Sequence, residues 1–426
     1  MLRTDSATAE GQRPRFAALH SRNFRLLWAS LIISNAGSQM QTVSTGYLIY
    51  YVLTHSPFWL GINSLAFALP MTMLPLFGGA IADRVDKLAL LKITQTGQML
   101  SAALLTWITF TGQVTVWWIL ATAFIGAVFL AADNPARQAL LPELVPREDL
   151  VSAAALNGAS YTGAALLGPA IGGLLLPLVG PAGLFLLNTI SFLAVLLAVF
   201  LIKGVNSKPQ QQPLSVGKSL AELADYIRSQ RTVRLLVILA AVMGFFGRSY
   251  TQLTPAFGRD LLHVDAAGLG LLYAAPGLGA LLGAGLLAGR RVTQVHKRLL
   301  IGAQLTFALL LIIYSFNPFY PMALILLVGL GAAPQVAITM ITTSLQLRAP
   351  GRLRGRILSL NATTTIGLAS LGGLTAGLLA EATGPGVAVA LGAVILAAAV
   401  LFTAPGLGEL DVRSEENVAS ATRATY

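Results

Sequence analysis

An aspartate and an arginine, Asp133 and Arg137, stand four residues apart in an otherwise apolar stretch. On a helix that spacing brings the two side chains together. Such a pair has two uses. It can be a permanent structural contact, or the carboxylate can take up a proton, release Arg137 and bias a conformational equilibrium. Asp133 and Glu381 are the only acidic residues inside the apolar runs defined below, and Glu381 lies close to the end of its run. If protons drive a conformational change, Asp133 is the leading carrier by elimination. Arg248 also falls inside an apolar run. An unpaired arginine in hydrocarbon is costly and requires a partner, a water-filled cavity or an anionic ligand. Asn35, Gln39 and Thr42 share one helical face, and Arg248, Thr251 and Gln252 share another. Both faces read as the lining of a central cavity. Tyr47, Tyr161, Tyr250 and Gln335 are further cavity candidates, each of which could equally serve as a helix–helix hydrogen bond or an interfacial aromatic.

There is little material for catalysis. The chain has no cysteine, which excludes disulfides and thiolate metal sites. Its four histidines, His20, His55, His263 and His296, fall in or beside predicted loops, so no buried metal cluster or histidine relay is expected. Neither GxxxxGK[ST] nor HExxH occurs, and the 42 glycines lie in apolar runs rather than in phosphate-binding loops. The expectation is no enzyme, no cofactor and no metal.

The elements that carry these residues follow from composition. Of 426 residues, 55% are hydrophobic and 11% charged, against about 25% charged in soluble domains. One soluble core cannot hide so much apolar side chain, which points to lipid as the solvent. A membrane helix needs about 20 mostly apolar residues. Twelve such runs are present: 24–53, 58–82, 88–111, 115–138, 150–178, 181–203, 233–256, 266–289, 298–316, 319–344, 357–382 and 386–406. Residues 1–23 are polar and basic, lack an apolar signal segment and read as an N-terminal tail.

Lysine and arginine placement predicts the orientation. With the N-terminus in the cytoplasm, all of the 28 lysines and arginines except Arg248 and Arg259 fall in cytoplasmic parts. That distribution accounts for the net charge of +11 without nucleic acid as a partner. Residues 204–232 form the one long polar stretch, a cytoplasmic linker. Its Leu220, Leu223, Ala224 and Ile227 recur at helical spacing and predict an amphipathic helix on the membrane surface, with a mere tether as the alternative.

The chain also echoes itself. VPREDLVSAAALN (145–157) aligns with APGRLRGRILSLN (349–361) at an offset of 204, and GPAIGG (168–173) meets GGLTAG (372–377) at the same offset. GAIADR (79–84) meets GLLAGR (285–290), and FRLLWA (24–29) meets VRLLVI (233–238). Four matches in one order predict two six-span halves, 24–203 and 233–406, followed by a cytoplasmic tail at 407–426.

GGAIADRVDK (78–87) resembles the loop signature between spans 2 and 3 of the major facilitator superfamily. Gly79, Asp83, Arg84 and Lys87 match it, while Asp86 stands where the family usually has glycine, as in its drug- and siderophore-efflux branch. PARQALLPELVP (135–146) resembles that branch too. In span 5, LLGPAIGG resembles the antiporter motif through Gly168, Pro169, Gly172 and Gly173, with Ala164 in place of its first glycine. The resemblance implies an all-α membrane protein of twelve transmembrane helices in two pseudo-symmetric six-helix bundles that rock about a midplane cavity. It implies a gate role for the 2–3 loop, with Asp83 facing the start of span 11 and Arg84 linking the halves. It further implies export of an amphipathic small molecule such as a drug, macrolide or siderophore, driven by protons, from a monomer in the bacterial inner membrane with both termini cytoplasmic. Uptake of a metabolite and lysophospholipid flipping are the rival expectations.

Overall fold

The computed structural model describes residues 16–82, 86–202, 216–288 and 296–411, and among them the regular structure is entirely helical. A short 3-10 turn, Ala17–His20, leads into α1 (Arg22–Tyr47), which continues as a π turn, Leu48–Leu53. Then come α2 (Pro57–Ala82), α3 (Lys87–Phe110), α4 (Val116–Leu144) and the 52-residue α5 (Leu150–Leu201). The linker helix is α6 (Val216–Ser229). The next span is broken. It starts as α7 (Arg231–Val242), passes through a π turn at Met243–Gly247 and a 3-10 turn at Ser249–Thr251, and resumes as the short α8 (Thr254–Ala256). A second π turn, Phe257–Leu261, ends it. The remaining rods are α9 (Ala266–Ala288), α10 (Lys297–Ser315), α11 (Tyr320–Arg348), α12 (Gly351–Thr383) and α13 (Pro385–Thr403).

Eight stretches are long and apolar enough by themselves to cross a membrane. One of them, Arg147–Leu201, is two passes. Gly180 breaks α5 with φ +67°, between Pro177 and Pro181. A left-handed φ suits glycine, which lacks Cβ, and Pro181 cannot continue a helix from the preceding turn. The rods containing α1, α3 and α12 complete twelve; each carries more polar residues than the others, such as Thr94, Gln95 and Gln98 in α3.

The rods form two bundles. In the first, α1 lies against α5, α3 against α4 and α5, and α2 against α4; in the second, α9 and α10 pack on α11, and α10 on α13. Two seams join the bundles, α2 with α12 and α5 with α9. Glycines make both close. A Cβ on Gly173 would come within 2.5 Å of Gly270 Cα, and one on Gly377 within 3.1 Å of Gly61 Cα. Without a hydrophobic drive inside lipid, this backbone approach is what allows dispersion contacts to hold the seam.

The end of the molecule at which the described chain begins (Phe16) and ends (Asp411), called proximal here, is finished in the same way in each half. Ser21, just ahead of α1, donates its hydroxyl to Leu144 O, the last carbonyl of α4. Tyr226, in α6 ahead of α7, donates to Arg348 O, the last carbonyl of α11, at 2.9 Å. Both carbonyls are among those a helix end leaves without intrahelical partners. Partial burial pushes the Tyr226 phenol above its ordinary range, an effect the nearby Arg348 offsets in part. Leu223, Tyr226 and Ile227 of α6 pack against the second half. Leu223 is buried in the core of the second half alongside Ala349 and Leu353, and Glu222 pairs with Arg356 of α12.

Candidate functional site

Asp133 is fully buried where α4 faces α3. Its Oδ1 accepts from Thr94 Oγ1 at 2.7 Å and from Gln95 Nε2 at 2.8 Å, and its Oδ2 pairs with Arg137. These contacts compensate a carboxylate that would otherwise be prohibitive at this depth. The cluster lies wholly inside the first half. Arg137, with 17% of its side chain exposed, is the member that reaches the surface. Thr94 and Gln95 are absent from the candidates read from the sequence, because two neighbouring polar residues in α3 carry no signal until α4 is laid beside them.

The polar face of α1 splits. Asn35 and Gln39 are half-buried and Thr42 is exposed, its hydroxyl bonded back to Ser38 O. Gln39 packs where Gly168 leaves room, since a Cβ on that glycine would sit 2.6 Å from Gln39 Cβ. Gly172 makes the same allowance for Met40, and Gly173 for Gly270 of α9. The stretch around Pro169 therefore binds α5 to α1 on one side and to the second half on the other. Gln41, also unremarked in the sequence, accepts from Asn188 Nδ2 at 2.6 Å and ties α1 to the far half of α5.

Arg248 stands at the break of the seventh span, between its π and 3-10 turns, and is exposed. Among the described residues no carboxylate pairs with it. Gln252 packs beside Gly373 of α12 where Ser64 of α2 also comes close, and Pro255 packs beside Gly46 of α1, so this part of the broken span borders the first half. Tyr161 is 66% exposed. Gln335 is half-buried in α11, Tyr47 stacks on Tyr51, and Tyr250 is buried against Phe307 and Tyr314, which removes it from any cavity wall.

Gly79 lies in the last turns of α2, while Asp83 and Arg84 lie outside the described residues. Lys87 opens α3 and pairs with Glu143 of α4, a contact inside the first half.

The halves are joined at mid-depth and at the end opposite the proximal one, called distal here. Tyr50 donates to Asp260, Arg259 Nη1 donates to Tyr50 O at 3.0 Å, and Ser56 donates to Glu381 at 2.6 Å. Nearer the proximal end of α5, Val151, Asn157 and Tyr161 are exposed. Contacts between the halves are thus described at mid-depth and at the distal end.

Residues 14–424 match the model of the transmembrane secretion effector family. The chain belongs to that family of major facilitator superfamily transporters. It is thus a multi-pass membrane transporter and not an enzyme. The multidrug efflux pump Tap of Mycolicibacterium fortuitum is 26% identical over 404 residues, 92% of this transporter and 97% of the pump. An enterobactin exporter of Citrobacter koseri is 27% identical over 76% of this chain and 79% of its own. The staphyloferrin A transporter of Staphylococcus aureus is 31% identical over 216 residues, but the chain spans only 53% of that relative. The fold matches a bacterial homologue of the human lysosomal transporter Spinster, solved inward-facing and unoccupied, with a TM-score of 0.73 at 15% identity over 95% of this transporter and 100% of that chain. A D-xylose–proton symporter matches at 0.72 and 14% identity over 93% and 98% of the two chains.

Proposed function

We propose that this transporter exports an amphipathic small molecule, a drug, macrolide or siderophore, by alternating access in exchange for protons. The bacterial inner membrane is its site, with both termini cytoplasmic and the monomer as the working unit. The lysine and arginine distribution supports a cytoplasmic proximal end. A vestibule between the halves then opens inward, the state in which an exporter takes up cargo. Full-length likeness to an efflux pump and substantial likeness to a siderophore exporter support the direction.

The single observation that carries the substrate reading is Arg248, exposed on a broken span with no acidic partner among the described residues. In the vestibule it attracts anionic or catechol-type oxygens, while the surrounding apolar wall holds the rest of the cargo. Asn35, Gln39, Thr42, Tyr161, Gln252 and Gln335 supply polar contacts. Asp133 is the proton carrier. Its protonation removes the charge that holds Arg137, Thr94 and Gln95 in place and so shifts α4 relative to α3. Gly79, Asp83, Arg84 and Lys87 latch the proximal end in the opposite state, and Gly168, Pro169, Gly172 and Gly173 form the bend about which α5 moves.

The test uses purified transporter and two radiolabelled probes, a catecholate siderophore and a neutral macrolide. Arg248→Ala lowers affinity for the catecholate at least about tenfold, the scale of a lost charge-assisted hydrogen bond, and leaves the macrolide unchanged. Equal affinity of variant and parent for the catecholate removes Arg248 from the site.

A further inference from the structure

The distal end carries a feature that the transport reading above does not use. Each half closes its first span there with a π turn, Leu48–Leu53 in one and Phe257–Leu261 in the other. Two residues beyond each turn stands a histidine in the left-handed region, His55 at φ +56° and His263 at φ +51°. A non-glycine residue rarely adopts this conformation, and it persists only where surrounding contacts hold it. In both corners the ring is tied to the turn it follows: His55 Nδ1 is 2.7 Å from Tyr50 O, and His263 Nδ1 is 3.1 Å from Arg259 O. π turns are rare and concentrate at functional positions. Two of them, each followed by the same unusual corner, form one device repeated by the pseudo-symmetry.

The corners meet each other. Tyr50 of the first donates to Asp260 of the second, and Arg259 of the second donates to Tyr50 O and touches the His55 ring. Tyr51 donates to Val264 O at 3.2 Å, with the Arg259 guanidinium 5.9 Å from its ring. A second contact lies alongside. Glu381, near the end of α12, accepts from Ser56 Oγ at 2.6 Å and from Phe58 N at 3.4 Å, at the start of α2. Every one of these bonds crosses between the halves, so every one must break for the distal end to open. Asp260 and Glu381 act in them as acceptors, and both are exposed.

We propose that the paired π-turn corners are the distal gate, and that Asp260 and Glu381 must both be ionised for it to stay shut. A carboxylate accepts more strongly than a carboxylic acid. Acid on the distal side therefore loosens the gate. The other charged or titratable groups facing it are Tyr50, Tyr51, His55, Arg259, His263 and Asp265. Protonation of His55 adds a positive charge next to Arg259 and acts in the same direction, whereas Asp265 is engaged in capping α9 through Gly268 N.

The experiment reads the gate without cargo, so its result is independent of whether the transport reading holds. The chain has no cysteine, so spin labels go on Gln113→Cys and Phe316→Cys, in distal loops of the two halves. Distance distributions of the full chain in nanodiscs are recorded by pulsed electron resonance at neutral pH and at a pH below the ordinary carboxylate range. Acid raises the ratio of the long-distance to the short-distance population about fivefold, the difference between a charged and a neutral acceptor after allowance for solvent. Asp260→Asn and Glu381→Gln show the raised ratio already at neutral pH, and the two together lose most of the acid response. Tyr50→Phe, which removes a donor and no charge, raises the ratio while leaving the Glu381 part of the response. His55→Gln retains the carboxylate response. A distribution that acid leaves unchanged overturns the proposal. So does an acid response that survives intact in the doubly neutralised chain, because the titrating group would then lie elsewhere.

Discussion

The two halves of this transporter share a scaffold and differ in what they bury. In the first, α3 and α4 enclose an ion pair with two polar side chains around it, Asp133 with Arg137, Thr94 and Gln95. In the second, the repeat offset of 204 sets Ala337 and Ile341 of α11 where Asp133 and Arg137 stand, both fully buried in an apolar core. The neighbouring α10 keeps one polar residue there, Gln304, fully buried, with its amide 4.0 Å from Met243 Sδ and no hydrogen bond to its carbonyl oxygen. This position does not need charge for packing, since α11 packs without it. A charge pair retained in one half only is consistent with a switch there and a rigid body opposite.

The most severe way to break the comparison is to remove one partner. Asp133→Ala leaves the mostly buried Arg137 uncompensated and lowers stability by about 3–5 kcal/mol, read as a large fall in the thermal midpoint of the purified protein. Converting the first half to the pattern of the second, with Asp133→Ala and Arg137→Ile together, restores stability to within about 1 kcal/mol of the parent yet abolishes proton-driven transport. If the double variant still couples flux to protons, the asymmetry has no functional meaning.

The seams between the halves come next. Gly270→Ala drives a methyl into Gly173, where its Cβ would lie 2.4 Å from Cα, and costs about 1–3 kcal/mol of the distally closed state through overpacking. Gly158→Ala, with nothing within 4 Å of the new methyl, gains up to about 1 kcal/mol of helix stability instead. Cross-linking between α5 and α9 separates these effects, falling in the first variant and unchanged in the second.

The smallest effects concern the shared proximal caps. Ser21→Ala and Tyr226→Phe each remove one hydroxyl from the last carbonyl of a 29-residue helix. Each loses about 1 kcal/mol, seen as faster amide exchange in the α4–α5 turn for the first and in the α11–α12 turn for the second. Equal losses support equivalence of the two caps; a loss in one half only limits the symmetry to the spans.

Much of this architecture could be read before any coordinates. Apolar run lengths located the twelve rods, and the pairing of Asp133 with Arg137 is a matter of helical spacing. Proline and glycine around position 169 announced close packing, although not that Gly168 and Gly172 serve α1 while Gly173 serves α9. What stayed hidden depends on which neighbour a face meets. An amphipathic α6 has the same pattern whether its apolar side lies on lipid or, as Leu223 does, in the core of the second half. The polar ring around Asp133 needs α3 and α4 side by side. The gate corners were the least legible, because a left-handed φ at His55 and His263 leaves no mark in hydropathy, and both histidines looked like ordinary loop residues.

The central claim is directional, and one flux measurement addresses it. The transporter is reconstituted into liposomes, its orientation scored with a protease-cleavable tag at the C-terminus, and a proton gradient imposed in each sense. The account predicts that a radiolabelled catecholate siderophore moves away from the face bearing the termini, faster when the opposite compartment is acidic, and that Asp133→Asn removes the acceleration. Net movement toward that face, or a flux indifferent to the gradient, contradicts it.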